Sequence, residues 1–400
     1  MGNDQFYSVF LLTDYFSDWI PYVQKSGIRE IFDLAEKMPN LINLGIGEPD
    51  FKTPSFINAA AKRALDRGFS RYTTNAGILE LRQELARKLK HENGIEADPK
   101  KEIIVTSGAT QAIFVLMNCL LNPGEEVILP TPLFSAYKYS VRIAGGVPIE
   151  VPMDQRNGFS LDVGRLQSAV SSRSKILVIN SPCNPTGAVF PKDKIVEACE
   201  FAQRNKLFIV SDEIYEDFLY GNTTTHFSPA SLPEFSDRVI TINGFSKKYA
   251  MTGWRIGYAA GNEEIIRVMT LFNMYNAVCA SSFVQLAALE ALRHSQAFFK
   301  RILKIFEKRR SIACKMLREM GFEFVEPRGA FYVFPTHKGV RMSSQSFCKD
   351  LLVKKQVSTI PGTAFGDAGE GHIRISYSVR EEKLAEALLR IKKYLKTISK

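Results

Sequence analysis

Two adjacent lysines stand in INGFSKKYAMTGWRIGYA, residues 242–259. A lysine amine attacks carbonyls only when burial or nearby cations suppress its charge, and most lysines are solvated surface groups. On pattern alone, Lys247 and Lys248 are surface residues, so their neighbours must argue otherwise. If this stretch stays extended, alternation sends the two to opposite faces, and only one can enter a site. Ser246 precedes the pair and Arg255 follows it.

Three other stretches gather polar residues where strands should end. VTSGATQA puts Gly108, Ala109 and Thr110 at a strand-to-helix junction, where free N–H groups and the helix dipole can hold a phosphate. A plain helix start is the simpler reading of that segment. INSPCNPTGAV carries Asn180 and Asn184 in a proline-rich turn, which structure alone would explain. LFIVSDEIYEDF is sharper, because Asp212 follows a fully apolar strand where its charge needs a cationic partner, with Tyr215 three residues on. The competing reading is a helix N-cap at Asp212. GIGEPD, residues 45–50, lacks the third glycine of a dinucleotide fingerprint, and the P-loop pattern is absent. A phosphate at a helix start, an acid at a strand end and a lysine followed by an arginine together fit pyridoxal phosphate.

Such groups need a scaffold. EIIVTSG, EEVILP, GVPIEVP, KILVIN, LFIVSDE, VITINGFS and RIGYAAG read as strands, several separated by helix-length segments, and their continuous apolar character predicts a sheet covered on both faces. GILELRQELARKLKHENG predicts a helix with Leu81, Leu85 and Leu89 on one stripe, stopping at Gly94. Beyond about residue 280 the pattern becomes helix-rich. FEFVEP, AFYVFP and HIRISYS follow as strands, and REEKLAEALLRIKKYLK as a terminal amphipathic helix, which predicts a smaller α+β domain.

Composition narrows the class. A chain of 400 residues exceeds one usual core, so two domains are expected. The formal charge of +10 is dispersed over helix-like faces and accompanies no nucleic-acid motif. None of the six cysteines falls in a C-x-x-C pair, so neither a metal site nor a disulfide framework is indicated. MGNDQFYSVFLLTDYFSDWI at the N-terminus is apolar, but Asp4, Asp14 and Asp18 interrupt it and no basic stretch precedes it. It reads as an added packing segment or a mis-set start rather than a membrane anchor or secretory signal, and a cytoplasmic setting is expected.

From about Ser26 to its end the chain resembles the class I aminotransferases of the fold-type I pyridoxal-phosphate family, archaeal-type aromatic and aspartate aminotransferases in particular. LGIGEPDF, NSPCNPTGAV, SDEIYE, NGFSKKYAMTGWRIGY and HIRISYS carry the resemblance, in the family's order. It implies an α/β large domain over 54–290, with a mostly parallel seven-stranded sheet covered by helices. A smaller α+β domain is implied from 1–53 and 291–400. The signature selects Lys247 as the lysine that holds the cofactor, leaving Lys248 turned to solvent. Asp212 is implied at the pyridine nitrogen, Tyr215 and Asn184 at the ring hydroxyl, and Phe134 of TPLFSAY on the ring face. Ser246, Arg255 and the backbone at Gly108, Ala109 and Thr110 are the implied phosphate cradle, joined by Tyr72 of RYTTNAGI from the partner of a homodimer. Arg374 is implied at the substrate α-carboxylate, with Gly47 in the loop that closes over it.

The resemblance further implies ping-pong exchange between an L-amino acid and 2-oxoglutarate. No counterpart of the second, distal-carboxylate arginine stands out, and NMYNAVCAS, residues 273–281, resembles aromatic-acting relatives. Aromatic donors therefore lead and aspartate follows closely, with alanine and kynurenine also in range. Carbon-sulfur β-lyases and aminocyclopropane-carboxylate synthases share the framework. A cofactor-binding regulator is the third class, but about 25 residues before Ser26 are too few for a fused winged helix.

Overall fold

The computed structural model describes residues 38–398 other than 224 and 338–341, together with residues 17 and 20. The reading of the N-terminal stretch as a packing segment lies outside the described residues.

The apolar runs form strands β1 (Ile42–Asn43), β2 (Ile103–Thr106), β3 (Glu126–Thr131), β4 (Val147–Pro152), β5 (Ser174–Asn180), β6 (Phe208–Asp212), β7 (Val239–Gly244), β8 (Gly257–Ala260), β9 (Tyr332–Val333), β10 (Val357–Ser358), β11 (Ile360–Pro361) and β12 (Ile373–Ser376). Seven of them make one sheet in the order β2-β8-β7-β6-β5-β3-β4. The ladders β4-β3, β3-β5, β5-β6 and β6-β7 are parallel, whereas β8 runs antiparallel to both β7 and β2. Burial on both faces follows from strand alternation: Ile104 packs with Ala112 and Leu116 of the helix Ala109–Leu120, while Ile103 and Val105 pack with Leu81, Leu85 and Val284.

The smaller layer uses both ends of the described chain. β1 pairs in parallel with β10, and β11-β12-β9 form an antiparallel sheet. Ile42 and Leu44 share an apolar cluster with Leu384, Leu388 and Tyr394 of the helix Glu381–Ile398. The fold is thus the α/β sheet with a smaller α+β unit that the sequence led us to expect.

Local departures have physical causes. FEFVEP, residues 322–327, builds no strand; a backbone bond from Thr336 N to Glu323 O at 2.8 Å ties it to the segment after β9 in place of a ladder. In AFYVFP only Tyr332–Val333 pairs. The helix predicted up to Gly94 is α-helical over Leu79–Lys88 and then widens into a π turn, Leu89–Asn93, before Gly94 ends it at φ +71°. That turn delivers Lys88 and Asn93 to a buried network: Lys88 Nζ contacts Glu216, and Asn93 Nδ2 donates to Glu216 at 2.6 Å and Ser228 at 2.9 Å.

One close approach sets the geometry at the helix Ala109–Leu120. A Cβ on Gly257 of β8 would lie 2.5 Å from Ala109 N and 2.7 Å from the Gly108 carbonyl carbon, both backbone atoms that cannot step aside. Gly257→Ala is expected to lower the unfolding free energy by about 1–3 kcal/mol. Gly253→Ala, whose methyl would enter open space, should stay within about 0.5 kcal/mol of the parent. Urea unfolding of the two variants side by side tests the pair.

Candidate active site

Parallel strands in an α/β sheet leave a crevice outside their carboxyl ends. Here β5 ends at Asn180, β6 at Asp212 and β7 at Gly244, and a cavity of about 250 Å³ opens there. Ala109, Thr110 and Phe134 line one part of it, and Asn184, Asp212, Tyr215, Ser246, Lys247 and Arg255 continue the wall. The smaller layer closes it with Gly47 and Arg374. Tyr72 stands apart, 83% exposed and away from its own protomer's cavity.

Asp212 is buried at the end of β6 and begins no helix. Its Oδ1 accepts from Ile214 N at 3.1 Å and its Oδ2 from the Tyr137 hydroxyl at 2.8 Å. Burial pushes its carboxyl up to about 6, against these two neutral donors. A carboxylate so placed gains from any cation that enters the cavity beside it.

Lys247 does not lie on an extended strand. β7 stops at Gly244, and Ser246–Tyr249 form a turn, so the divergence of the two lysines comes from turn geometry rather than strand alternation. Lys247 faces the cavity and keeps some access through it, yet protein surrounds it on its other sides. Burial first, then Arg374 and Arg255, pushes its ammonium down to about 8, with Glu48 opposing. Its Nζ donates to Gly47 O at 2.6 Å and sits 5.8 Å from the Tyr215 ring centre.

Lys248, expected in solvent, is instead largely enclosed. Its Nζ pairs with Asp217 at 2.8 Å and Glu92 at 3.1 Å. Burial works against its charge, but Tyr249, Asp217 and Glu92 outweigh it and hold the ammonium protonated. Carboxylate partners therefore divide the two lysines: Lys248 has them at contact distance, while Lys247 rests on a carbonyl.

Arg374 projects from β12 and is buried. Its Nη1 donates to Asn184 Oδ1 at 2.8 Å and its Nη2 to Gly45 O, while Nε is buried without a partner. Its guanidinium carbon lies 4.5 Å from the Tyr332 ring centre and 4.9 Å from that of Phe365. Across the cavity, Gly108 caps the helix Ala109–Leu120 at φ +93°, and a Cβ there would meet Arg255 Nη2 at 2.5 Å. The bare glycine lets that guanidinium lie against a helix N-terminus whose amides face the cavity, which is an anion cradle.

The residues present fit pyridoxal phosphate on three counts: an anion cradle at Gly108, Ala109, Thr110, Ser246 and Arg255, a buried carboxylate lacking a cation, and an amine of lowered pKa. Sequence reasoning missed Tyr137 and Tyr332. Tyr137 stands three residues after Phe134 in TPLFSAY, where its type and position read as core, and Tyr332 was hidden in AFYVFP, read only as a strand.

The family model described as "Aminotransferase class I and II" matches residues 39–391. An aspartate aminotransferase of Pyrococcus abyssi is 47% identical over 382 residues, 95% of this chain and 98% of that protein. Aromatic-amino-acid aminotransferase 2 of Thermococcus litoralis is 46% identical over 95% of this chain and 98% of its own length. Among solved structures, an aromatic aminotransferase from Pyrococcus horikoshii superposes with a TM-score of 0.87 at 46% identity, covering 92% of this chain and 99% of that one. The Thermus thermophilus aspartate aminotransferase with maleate gives a TM-score of 0.90 at 38% identity, covering 94% and 99%.

The lowered amine has a checkable consequence. The fold disfavours the charged form, so the nucleophilic amine of the cofactor-free protein should appear as pH rises through about 8 rather than about 10.4. Arg374→Met removes the stronger of the two arginine influences on the amine and should move that midpoint upward. The rate of Lys247 modification by a small aldehyde, trapped with borohydride between pH 6 and 11, measures both. A midpoint near that of free lysine in the parent protein would contradict the geometry.

Proposed function

The chain belongs to the class I and II aminotransferases and is a transaminase; within that family we propose that Lys247 is its catalytic lysine and that pyridoxal phosphate occupies the cavity. The observation that carries this reading is the pairing, on one cavity, of an amine lowered by burial and cations with a buried carboxylate held only by neutral donors. When bound, pyridoxal phosphate supplies a carbonyl for the amino group and an electron-withdrawing ring as the substrate Cα–H bond breaks.

The chain's own groups then divide the work. Asp212 keeps the ring nitrogen protonated, which also neutralises the buried carboxylate, and Tyr137 fixes that carboxylate's orientation. Gly108, Ala109 and Thr110 offer backbone N–H groups to the phosphate, Ser246 its hydroxyl and Arg255 paired donors. Phe134 would hold the ring by its face, and Tyr215 and Asn184 would serve the ring hydroxyl. Arg374 takes the substrate α-carboxylate in a bidentate pair, and the loop at Gly47 closes over it. Lys247 would hold pyridoxal phosphate through its amine, and the same amine, once free, would accept the substrate Cα proton and hand it back as the amino group is exchanged.

The remaining assignments also belong to this proposal. The acceptor is 2-oxoglutarate, and the active unit is a homodimer in which the exposed Tyr72 serves the neighbouring protomer's phosphate site. Residues 54–290 form the cofactor-binding domain, with 1–53 and 291–400 making the smaller one. The setting is cytoplasmic; among the described residues, no helix is long and apolar enough to cross a membrane. For the donor, relatives named for aspartate and for aromatic amino acids are almost equally similar. Among the described residues that line the cavity, the cations Lys247, Arg255 and Arg374 all have other work in this scheme; aromatic donors stay ahead of aspartate in this proposal.

The yellow holoenzyme tests this directly. Tyrosine and glutamate, added separately, should bleach the visible band while aspartate does so weakly. Aspartate matching glutamate with tyrosine inert would make it an aspartate aminotransferase, and pyruvate and ammonia released without an acceptor would make it a carbon-sulfur β-lyase. Lys247→Ala should retain pyridoxal phosphate through its phosphate and ring contacts yet lose turnover by about 10²- to 10⁴-fold or more. Undiminished turnover in that variant would remove the assignment.

A further inference from the structure

Tyr332 joins parts of the site that the proposed chemistry uses separately. On the antiparallel β9-β12 pair, Tyr332 stands opposite Ser376, and Arg374 is two residues along on the same face. That diagonal spacing is within reach of an aromatic ring and a long side chain. The Tyr332 ring accordingly packs against the Arg374 guanidinium at 4.5 Å, an attraction that holds the planar cation to one orientation. At the other end of the same ring, its hydroxyl lies 2.6 Å from the Tyr215 hydroxyl. The ring centres are 5.6 Å apart at 83°, so the two phenols meet edge to face.

The loop over the site closes onto the same hydroxyl. A Cβ on Gly47 would lie 2.2 Å from Tyr332 Oη, so any side chain there would push the Tyr332 hydroxyl from its place. This loop supplies the Gly47 carbonyl to Lys247 and the Gly45 carbonyl to Arg374. Tyr332 is itself 1% exposed, and its place is held by Phe331 and Tyr215 around it.

We propose that Tyr332 is a positioning residue that couples the plane of Arg374 to the hydrogen-bonding strength of the Tyr215 hydroxyl. The inference rests on the reading above, in which Arg374 meets the α-carboxylate and Tyr215 meets the cofactor's ring hydroxyl. A hydroxyl has one proton to give and two lone pairs to receive. When Tyr332 donates to Tyr215, the Tyr215 proton is left for the cavity, and a chain of two hydroxyls makes that second bond stronger than one alone. The ring and the hydroxyl of Tyr332 thus do different jobs: the ring orients Arg374, and the hydroxyl polarises Tyr215. Packing alone would need only the ring.

That division gives the test. For holoenzyme carrying each variant, three quantities are measured: the pH midpoint of the visible chromophore, kcat and KM with tyrosine and glutamate, and the Kd of 3-phenylpropanoate as a non-reacting carboxylate. Tyr332→Phe keeps the ring, so the carboxylate Kd should stay within about twofold. Weaker donation to the ring hydroxyl favours the protonated chromophore, so the midpoint should rise by about half a pH unit and kcat fall about three- to tenfold. Tyr332→Leu removes the ring and should weaken the carboxylate about fivefold or more. Adding Tyr332→Phe to Tyr215→Phe should shift the midpoint no further than Tyr215→Phe alone, because both act through one hydroxyl. A Tyr332→Phe enzyme with parental midpoint and kcat, or shifts that add to those of Tyr215→Phe, overturns the inference. Should Tyr332→Leu fail to fold, the isosteric Phe variant and the double variant still decide it. A parent protein that neither colours with pyridoxal phosphate nor bleaches with amino acids overturns the proposed function, and this inference with it. A competent parent with an unaltered Tyr332→Phe removes this inference alone.

Discussion

Asp212, Lys247 and Arg374 bring three ionisable groups to one cavity, and each is held by neutral partners: a phenol and an amide, a carbonyl, and an amide oxygen with a second carbonyl. Groups withdrawn from water without counter-charges at contact distance are costly, and that cost appears as displaced pKa values, up for Asp212 and down for Lys247 and Arg374. The packing around the site must offset it. Phe306, Phe331 and Phe218 pack as a tight aromatic group beside Tyr215, and Phe306 and Phe331 stack with centres 5.3 Å apart. The cavity is therefore poised for a ligand that brings a cation to Asp212 and anions to the opposing basic groups.

A second buried charge cluster carries opposite charges within the protein. Glu213 and Glu216 are met by Lys88, His226, Asn93 and Ser228, so their charges and lone pairs are matched within the protein. His226, which burial would discharge, is kept more basic by Glu213. The cluster also has a mechanical consequence. Glu216 accepts from Asn243 Nδ2 at 2.8 Å, and Asn243 Oδ1 accepts from Gly244 N at 2.7 Å. The segment bearing Asp212 and Tyr215 is thereby tied to the strand end that leads into Lys247. Self-neutralised charge braces the backbone, and uncompensated charge faces the cavity.

The same logic separates Lys247 from Lys248. The adjacent amines differ by their neighbours: Asp217 and Glu92 satisfy one, while the other has a carbonyl and two arginines in its surroundings. The aspartate, glycines and arginines around them follow from where strands stop. β5, β6 and β7 are parallel and end at one edge, so Asn180, Asp212 and Gly244 arrive together without any sequence proximity.

The sequence by itself determined the seven-stranded sheet, the amphipathic helices and the identity of most cavity residues. Continuous apolar strands can be buried only on both faces, and Asn184, Asp212, Lys247, Arg255 and Arg374, picked out by motifs and by the family resemblance those motifs carry, line one cavity. It did not determine the enclosure of Lys248, whose carboxylate partners lie 31 and 156 positions away, or the π turn that sends Lys88 and Asn93 inward. Nor did it reveal Tyr137 and Tyr332, because a tyrosine in an apolar run looks like core until its hydroxyl has a partner from another element. Local pattern records which face of an element is buried, whereas the partner of a buried polar atom is settled only when distant elements are brought into contact.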